Sequence, residues 1–191
     1  MPEHALKEWA VTVAALAAGD QVLILRKGGI GEKRFELPHP RFYLFPTYAH
    51  QRPELVIAAG RERFADPLAR REEPARLPLP AYAALHSAHP IADPEALAAL
   101  DGLHILAPSY AEERLKWRRK HPLWAAVLRV WALPEPPVLE DAAAYGGCVS
   151  WVELPGTVGA PAERRPALDD DAFAEAAGAV EAALAAPGVA R

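Results

Sequence analysis

The chain has 191 residues, 51% hydrophobic and 24% charged, an ordinary globular balance with enough apolar content for one substantial core. A net charge of −4 excludes a uniformly basic nucleic-acid binder and leaves room for a local basic face. Cys148 is the lone cysteine, which excludes an internal disulfide and a thiolate metal cluster. No apolar run approaches the roughly 20 residues of a membrane span, and MPEHALKEW lacks the build of a signal peptide, so a cytoplasmic protein is expected. The chain has no asparagine, only Gln21 and Gln51 as glutamines, and 20 prolines, a bias that suits a thermophile or a GC-rich genome equally.

Leu6, Trp9, Val13 and Leu16 recur at helical spacing and Gly19 follows as a stop, which predicts a helix over 5–18. Residues 21–27 read as a strand covered on both faces, because VLIL does not alternate. After a glycine-rich loop, a second strand is expected over 41–45, ended by Pro46. Pro53 then opens a short helix to about residue 59, stopped by Gly60. Residues 61–80 mix both charge signs with prolines and predict an exposed, irregular insertion.

AYAALHSAHPI (81–91) is compatible with a strand, and Asp93 with Pro94 caps a compact helix ended by Gly102. Ser109 and Glu112 have the spacing of a capping box for a helix to about Arg119. Residues 123–133 and 147–154 are the later strands. A linker over 156–168 leads to a last helix, capped by Asp169 to Asp171, with Phe173, Ala177, Val180 and Leu184 on one face.

The element order predicts an α+β fold, either a mixed sheet or a small closed barrel with flanking helices. Residues 1–155 form the globular domain and 169–191 a helix docked on it. Strands 21–27, 41–45, 123–133 and 147–154 should share one sheet, with Trp9, Leu23, Leu25, Phe45, Leu128 and Val130 in its core.

Three stretches could carry chemistry. In LRKGGI (25–30), the backbone N–H groups around Gly28 and Gly29, reinforced by Arg26 and Lys27, could cradle an anion. The plain alternative is a turn with solvated charges, and neither G-x-x-x-x-G-K-[ST] nor G-x-G-x-x-G is present. FPTYAHQ (45–51) packs Thr47, Tyr48, His50 and Gln51 into one turn, a set suited to a base or sugar edge, or simply to a helix entry. In RLKWRRKH (114–121), Arg114 and Arg118 share a helical face beside Trp117, which can grip phosphates and stack a base, or end a helix in solvent.

His39 lies between two prolines and, with Glu36 and His50, offers imidazole and carboxylate to a metal, but the spacing matches no ligand signature and no metal is assigned. His86 and His89, three apart in a strand, face opposite ways. G-x-S-x-G, H-E-x-x-H and the nuclease E-x-K are absent, although Glu32 and Arg34 form E-x-R. Cys148 sits in a strand-like run where a thiol is inert. A hydrolase would therefore draw on Glu32, Glu36, His39 or His50.

KEWAV (7–11), ILRKGGI (24–30), FYLFPTYAHQ (42–51), PLWAAVLRVWAL (122–133) and GGCVSWVEL (146–154) together resemble the bacterial domain-of-unknown-function family eighteen-oh-two, over roughly residues 5–155. The resemblance implies a restriction or nucleic-acid context, because some members are associated with Mrr-type restriction endonuclease domains. More loosely, a helix ending in glycine before a strand carrying Arg26 and Lys27 is similar to the start of PUA-like folds (ASCH and EVE domains). Those are small barrels with flanking helices that bind RNA or modified bases. That likeness implies one cleft shared by Arg26, Lys27 and the Thr47–Gln51 turn.

The expected function is thus a nucleic-acid or nucleotide-binding module. The alternatives are a phosphodiester or nucleotide hydrolase and a non-catalytic interaction subunit. Nucleic acid, a nucleotide or a restriction-system protein is the expected partner, a membrane is not, and no cofactor is assigned.

Overall fold

Residues expected to open a helix open the sheet instead: β1 spans His4–Trp9, and α1 follows only from Ala10 to Ala18. Ala5 through Trp9 are all buried, so this strand is covered on both faces and needs no alternation. The helical spacing of Leu6 and Trp9 to Val13 is therefore a coincidence that strand pairing overrides. The computed structural model describes residues 3–27, 37–91, 93–116, 122–147 and 149–185.

α1 stops at Gly19, whose φ of +78° suits glycine alone; a Cβ there would also meet the Ala167 carbonyl oxygen at 2.8 Å. β2 (Leu23–Arg26) follows, and then β3 (Arg41–Thr47). β3 runs through Pro46 rather than ending there. Its neighbour on one side, β5 (Ala81–Ile91), pairs only as far as Leu44, so the strand has an open side where a residue without N–H is tolerated. A 3₁₀ turn at Pro53–Leu55 precedes α2 (Ala58–Arg63), which carries Gly60 inside it rather than after it. A Cβ on Gly60 would come within 2.9 Å of Val56 Cγ1, so close packing explains this glycine.

The expected irregular insertion also folds. It holds α3 (Ala65–Ala69) and β4 (Leu77–Pro78), and Phe64, Leu68, Leu77 and Leu79 are buried. Its charges of both signs face water while Phe64 and Leu68, four apart, face in. α4 (Pro94–Ala98) is capped as predicted, Asp93 accepting from the Ala96 N–H at 2.8 Å. α5 (Pro108–Lys116) begins one residue before Ser109, so Ser109 lies in the first turn rather than at a cap; proline suits that first position.

β6 (Leu123–Ala132), β7 (Val138–Leu139), a 3₁₀ turn at Ala142–Tyr145, β8 (Trp151–Glu153), β9 (Arg165–Pro166) and α6 (Asp170–Ala185) complete the described chain. Among the described residues, seven strands form one mixed sheet in the order β2-β6-β5-β3-β1-β8, with β9 also on β6. β1 and β3 are parallel and the other pairs antiparallel. β4 and β7 make a separate two-stranded ladder. The mixed sheet is as expected; the closed barrel is not, because its short ends, β2 and β8, are not paired with each other.

The expected core residues Trp9, Leu23, Leu25, Phe45, Leu128 and Val130 are all buried. α1 covers one face through Val13 and Leu16 against Leu6, Ile24, Phe42 and Leu44. The other side of α1 meets Phe64, Leu68, Ile105 and Tyr110, which brings α5 over the β1–α1 junction. α6 packs Ala177 and Val180 against Val22, Leu23 and Leu25, and Arg129 bonds Asp170 at 2.7 Å and covers the Phe173 ring. Among the described residues, no helix is long and apolar enough to cross a membrane.

Candidate anion-binding site

The unpaired ends of the sheet, β2 and β8, are bridged by side chains. Arg26, last in β2, donates through one terminal nitrogen to Glu8 of β1 at 3.3 Å and through the other to Ser150 Oγ, beside β8, at 2.8 Å. The Arg26 and Glu8 side chains are only 16% and 7% exposed, so the pair lies in a recess rather than on a rim. The second Glu8 oxygen accepts the Trp9 N–H at 2.8 Å, and Thr47 Oγ1 donates to the Glu8 carbonyl at 3.0 Å. Lys7 holds the approach to Ser150: its ammonium donates to the Tyr145 and Gly147 carbonyls, and its N–H to the Ser150 carbonyl at 2.8 Å.

α5 closes the recess from above. Tyr110 packs its ring on Trp9 at 4.9 Å, and Arg114, one turn on, lies over the Tyr110 ring and donates through Nε to its hydroxyl at 3.1 Å. Burial pushes the Tyr110 phenol pKa up; Arg114 pulls it back, Glu8 reinforces the rise and Arg26 opposes it. Arg26, Glu8 and Arg114 therefore all act on one phenol. Lys27 takes another direction. It is 2% exposed, donates to the Leu115 carbonyl at 2.7 Å near the end of α5, and has its pKa pushed down by burial.

The structure thus brings together Arg26 and Arg114, expected from separate motifs, and adds Glu8, Tyr110 and Ser150, which sequence reading missed. The one available signal was the polar pair Lys7–Glu8 inside an otherwise apolar stretch. Two cations, a phenol and a hydroxyl gathered near one carboxylate make a donor-rich recess of a chemistry suited to an anion.

The other expected residues disperse. Thr47 joins the recess only through its bond to the Glu8 carbonyl. Tyr48 is buried, with Arg70 over its ring and its N–H on Glu73 at 2.8 Å. Gln51 is 3% exposed and spends its amide inside, accepting from the Val11 N–H at 2.7 Å and donating to the Pro67 carbonyl at 2.9 Å. His50 lies on an exposed turn. The expected cleft shared by Arg26, Lys27 and the Thr47–Gln51 turn is therefore not what the structure forms: α5 lies beside Arg26, and Glu8 pairs with it.

His39 stacks on His4 at 3.6 Å and meets the Trp151 edge at 5.0 Å; burial and the His4 charge both lower its pKa. Gly28, Gly29, Glu32, Glu36, Trp117 and Arg118, together with Cys148, lie outside the described residues. Among the described residues, no group of three or more His, Cys, Asp or Glu side chains is placed to hold a metal ion.

The fold and site define an α+β protein with a half-open mixed sheet and an arginine-rich recess at its open end. The chain belongs to DUF1802, a domain of unknown function, whose family model matches residues 5–179. No curated protein matches it. Similar solved structures include ASCH from Zymomonas mobilis, at 14% identity and a TM-score of 0.49, covering 82% of this chain and 90% of that one. A tyrosine-to-phenylalanine mutant of the same ASCH protein aligns at 16% identity and a TM-score of 0.49, covering 82% of this chain and 92% of that one. The likeness is one of outline; the chemistry of the recess rests on this chain's own residues.

Proposed function

We propose that the protein is a nucleic-acid or nucleotide-binding module whose phosphate contact is the recess between β2, β8 and α5. The observation that carries this reading is the convergence of Arg26 and Arg114, from segments 88 residues apart, on Tyr110 and Ser150. Guanidinium groups backed by hydroxyl donors are the usual equipment for phosphate oxygens. Glu8 orients the Arg26 fork, and Arg114 sets a second guanidinium beside the Tyr110 hydroxyl. The hydrolase alternative has less support: His39 is occupied by ring stacking, and His50 stands on a separate turn.

Fluorescence anisotropy with short labelled single-stranded and duplex oligonucleotides tests the reading, with Arg114→Gln beside wild type. Arg26 is the poorer probe because its loss strands buried Glu8. The variant should bind about tenfold more weakly and shift the slope of log K against log salt by about 0.7–0.9, the share of one phosphate contact. Equal binding and equal slopes for both proteins would sink the proposal.

A further inference from the structure

We propose that the His104 imidazole is a pH-operated fastener for the start of α5. Taking up a second ring proton unlocks residues 103–110 and lifts Tyr110 off Trp9, while the far end of the helix stays tethered. This goes beyond the nucleic-acid reading and does not depend on it.

The ring is the first ground. His104 is 3% exposed and lies in the segment between α4 and α5. Its Nδ1 accepts the Leu106 N–H at 3.2 Å, which leaves the proton of the neutral ring on Nε2. Nε2 is buried and has no hydrogen-bond partner. A charged ring carries a proton on both nitrogens. Nδ1 would then meet the Leu106 N–H donor to donor, and the Nε2 proton would still lack an acceptor. Moving the ring out to water relieves both faults.

The surrounding charges are the second. Asp101, an exposed residue, favours the charged ring through space, and the backbone of His104 and Leu106 does the same. Burial outweighs them and pushes the pKa down. Gln21, on the approach to β2, is neutral, and its neighbour Asp20 pairs with Arg63 of α2. Arg61 of α2 donates to the Val56 carbonyl, Glu62 is exposed, and Glu54 of the 3₁₀ turn pairs with Arg52. Among the described residues, no carboxylate is bonded to the ring to hold its charge inside.

What the ring holds is the third. The Ile105 N–H donates to Gln21 Oε1 at 3.1 Å, and the Ile105 carbonyl accepts the Ile57 N–H at 2.9 Å. The Ala107 N–H donates to the Leu55 carbonyl at 2.9 Å, and Val56 and Leu106 form an isolated bridge. These bonds flank His104 on the C-terminal side and lead straight into α5, where Tyr110 rests on Trp9 at 4.9 Å. A ring that leaves therefore pulls on the same segment that seats the helix. The other end is held separately, by Lys27 on the Leu115 carbonyl at 2.7 Å. One end can be released while the other is pinned.

Native-state hydrogen exchange on the full chain tests this, resolved by residue with NMR between pH 7.5 and 5.5 and corrected for the intrinsic pH dependence of amide exchange. The amides of Ile105, Leu106, Ala107 and Tyr110 should open more readily than those of β5 and β6. Their opening should grow about tenfold from pH 7.5 to 5.5, as one proton taken up at an open-state pKa of about 6.5 requires. The last turn of α5 should open less. His104→Phe, which fills the site and cannot take a proton, should abolish the growth. The wild-type imidazole gives a readout that needs no variant: its nitrogen shifts should stay those of the Nε2–H tautomer down to pH 5.5.

Residues 105–110 exchanging at the rate of β5 and β6 at every pH would overturn the inference, since the helix would then open with the whole domain. Opening that ignores pH, or grows equally in His104→Phe, would overturn it too. So would an imidazole that titrates near pH 6.5 while these amides remain protected.

Discussion

Gln51 distinguishes a structural amide from a ligand-reading one. Val11 is the second residue of α1, so its N–H has no partner within the helix, and Trp9 at the cap supplies no side-chain bond. Gln51 Oε1 fills that place from 40 residues away while Nε2 ties down the Pro67 carbonyl. Gln51→Leu keeps much of the volume and removes both bonds. It leaves a buried donor, costing about 1–3 kcal/mol, and a part-buried acceptor that costs less, so about 2–4 kcal/mol in total. Against a typical stability of about 5–15 kcal/mol this is a large share, and Tm should fall by about 2–4 °C per kcal/mol. Gln51→Glu should fall between the two. Its carboxylate still accepts the Val11 N–H and suits a helix N-terminus, but it has no proton for the Pro67 carbonyl until the pH drops. Urea unfolding followed by circular dichroism, at neutral and mildly acidic pH, measures all three proteins. A leucine variant within about 0.5 kcal/mol of wild type would refute the structural role, since that is the range of an inert surface change. Lost oligonucleotide binding at unchanged stability would make Gln51 a reader of the ligand instead.

Two further outcomes are expected. Arg26→Met should cost about 3–5 kcal/mol because it leaves the nearly buried Glu8 carboxylate unpaired, and the double variant Arg26→Met with Glu8→Met should recover a large part of that loss, as a urea double-mutant cycle would show. His104 supplies an acid-sensitive element. It is 3% exposed, its Nδ1 accepts the Leu106 N–H at 3.2 Å, its Nε2 has no hydrogen-bond partner, and burial lowers its pKa. Below about pH 6.5 the unfolded chain takes up a proton here that the folded chain refuses, so stability falls with pH by up to about 1.4 kcal/mol per unit. His104→Phe should flatten that fall in urea midpoints taken between pH 7.5 and 5.5, leaving the part due to His39, whose pKa is lowered in the same direction. An unchanged pH slope in the variant would rule His104 out as its source.

The strands of the sheet were legible where burial is two-sided and β-branched or aliphatic runs are continuous, as at Leu23–Arg26 and Leu123–Ala132. β1 was not, because a strand enclosed by β3 and β8 shows no alternation, and its apolar residues fell by chance at helical intervals to those of α1. The short helices within residues 61–80 were hidden for a different reason. Their burial depends on two apolar residues, Phe64 and Leu68, whose contact with α1 comes from chain segments distant in sequence. Caps written in one residue, such as Asp93, were readable; a cap lent by Gln51 across 40 residues was not.

The site was half legible, and the reason lies in strand geometry. Arg26 and Lys27 read as a doublet of equivalent cations, yet successive side chains on extended backbone point to opposite sides. Arg26 turns toward Glu8 and Ser150, and Lys27 turns to the Leu115 carbonyl of α5. The first residue therefore belongs to the recess, while the second locks the helix that brings Tyr110 and Arg114 over it. Alanine at both positions would therefore disturb the fold, because one change strands a buried carboxylate and the other unfastens a helix end. Glu8 stayed hidden because a carboxylate next to a tryptophan in an apolar run has no motif; only the closing approach of β2 to β8 gives it a partner. What a linear reading can find in such a site is the residue that brings charge. What it cannot find is the residue that aims it, since aiming is done across the gap between the ends of the sheet.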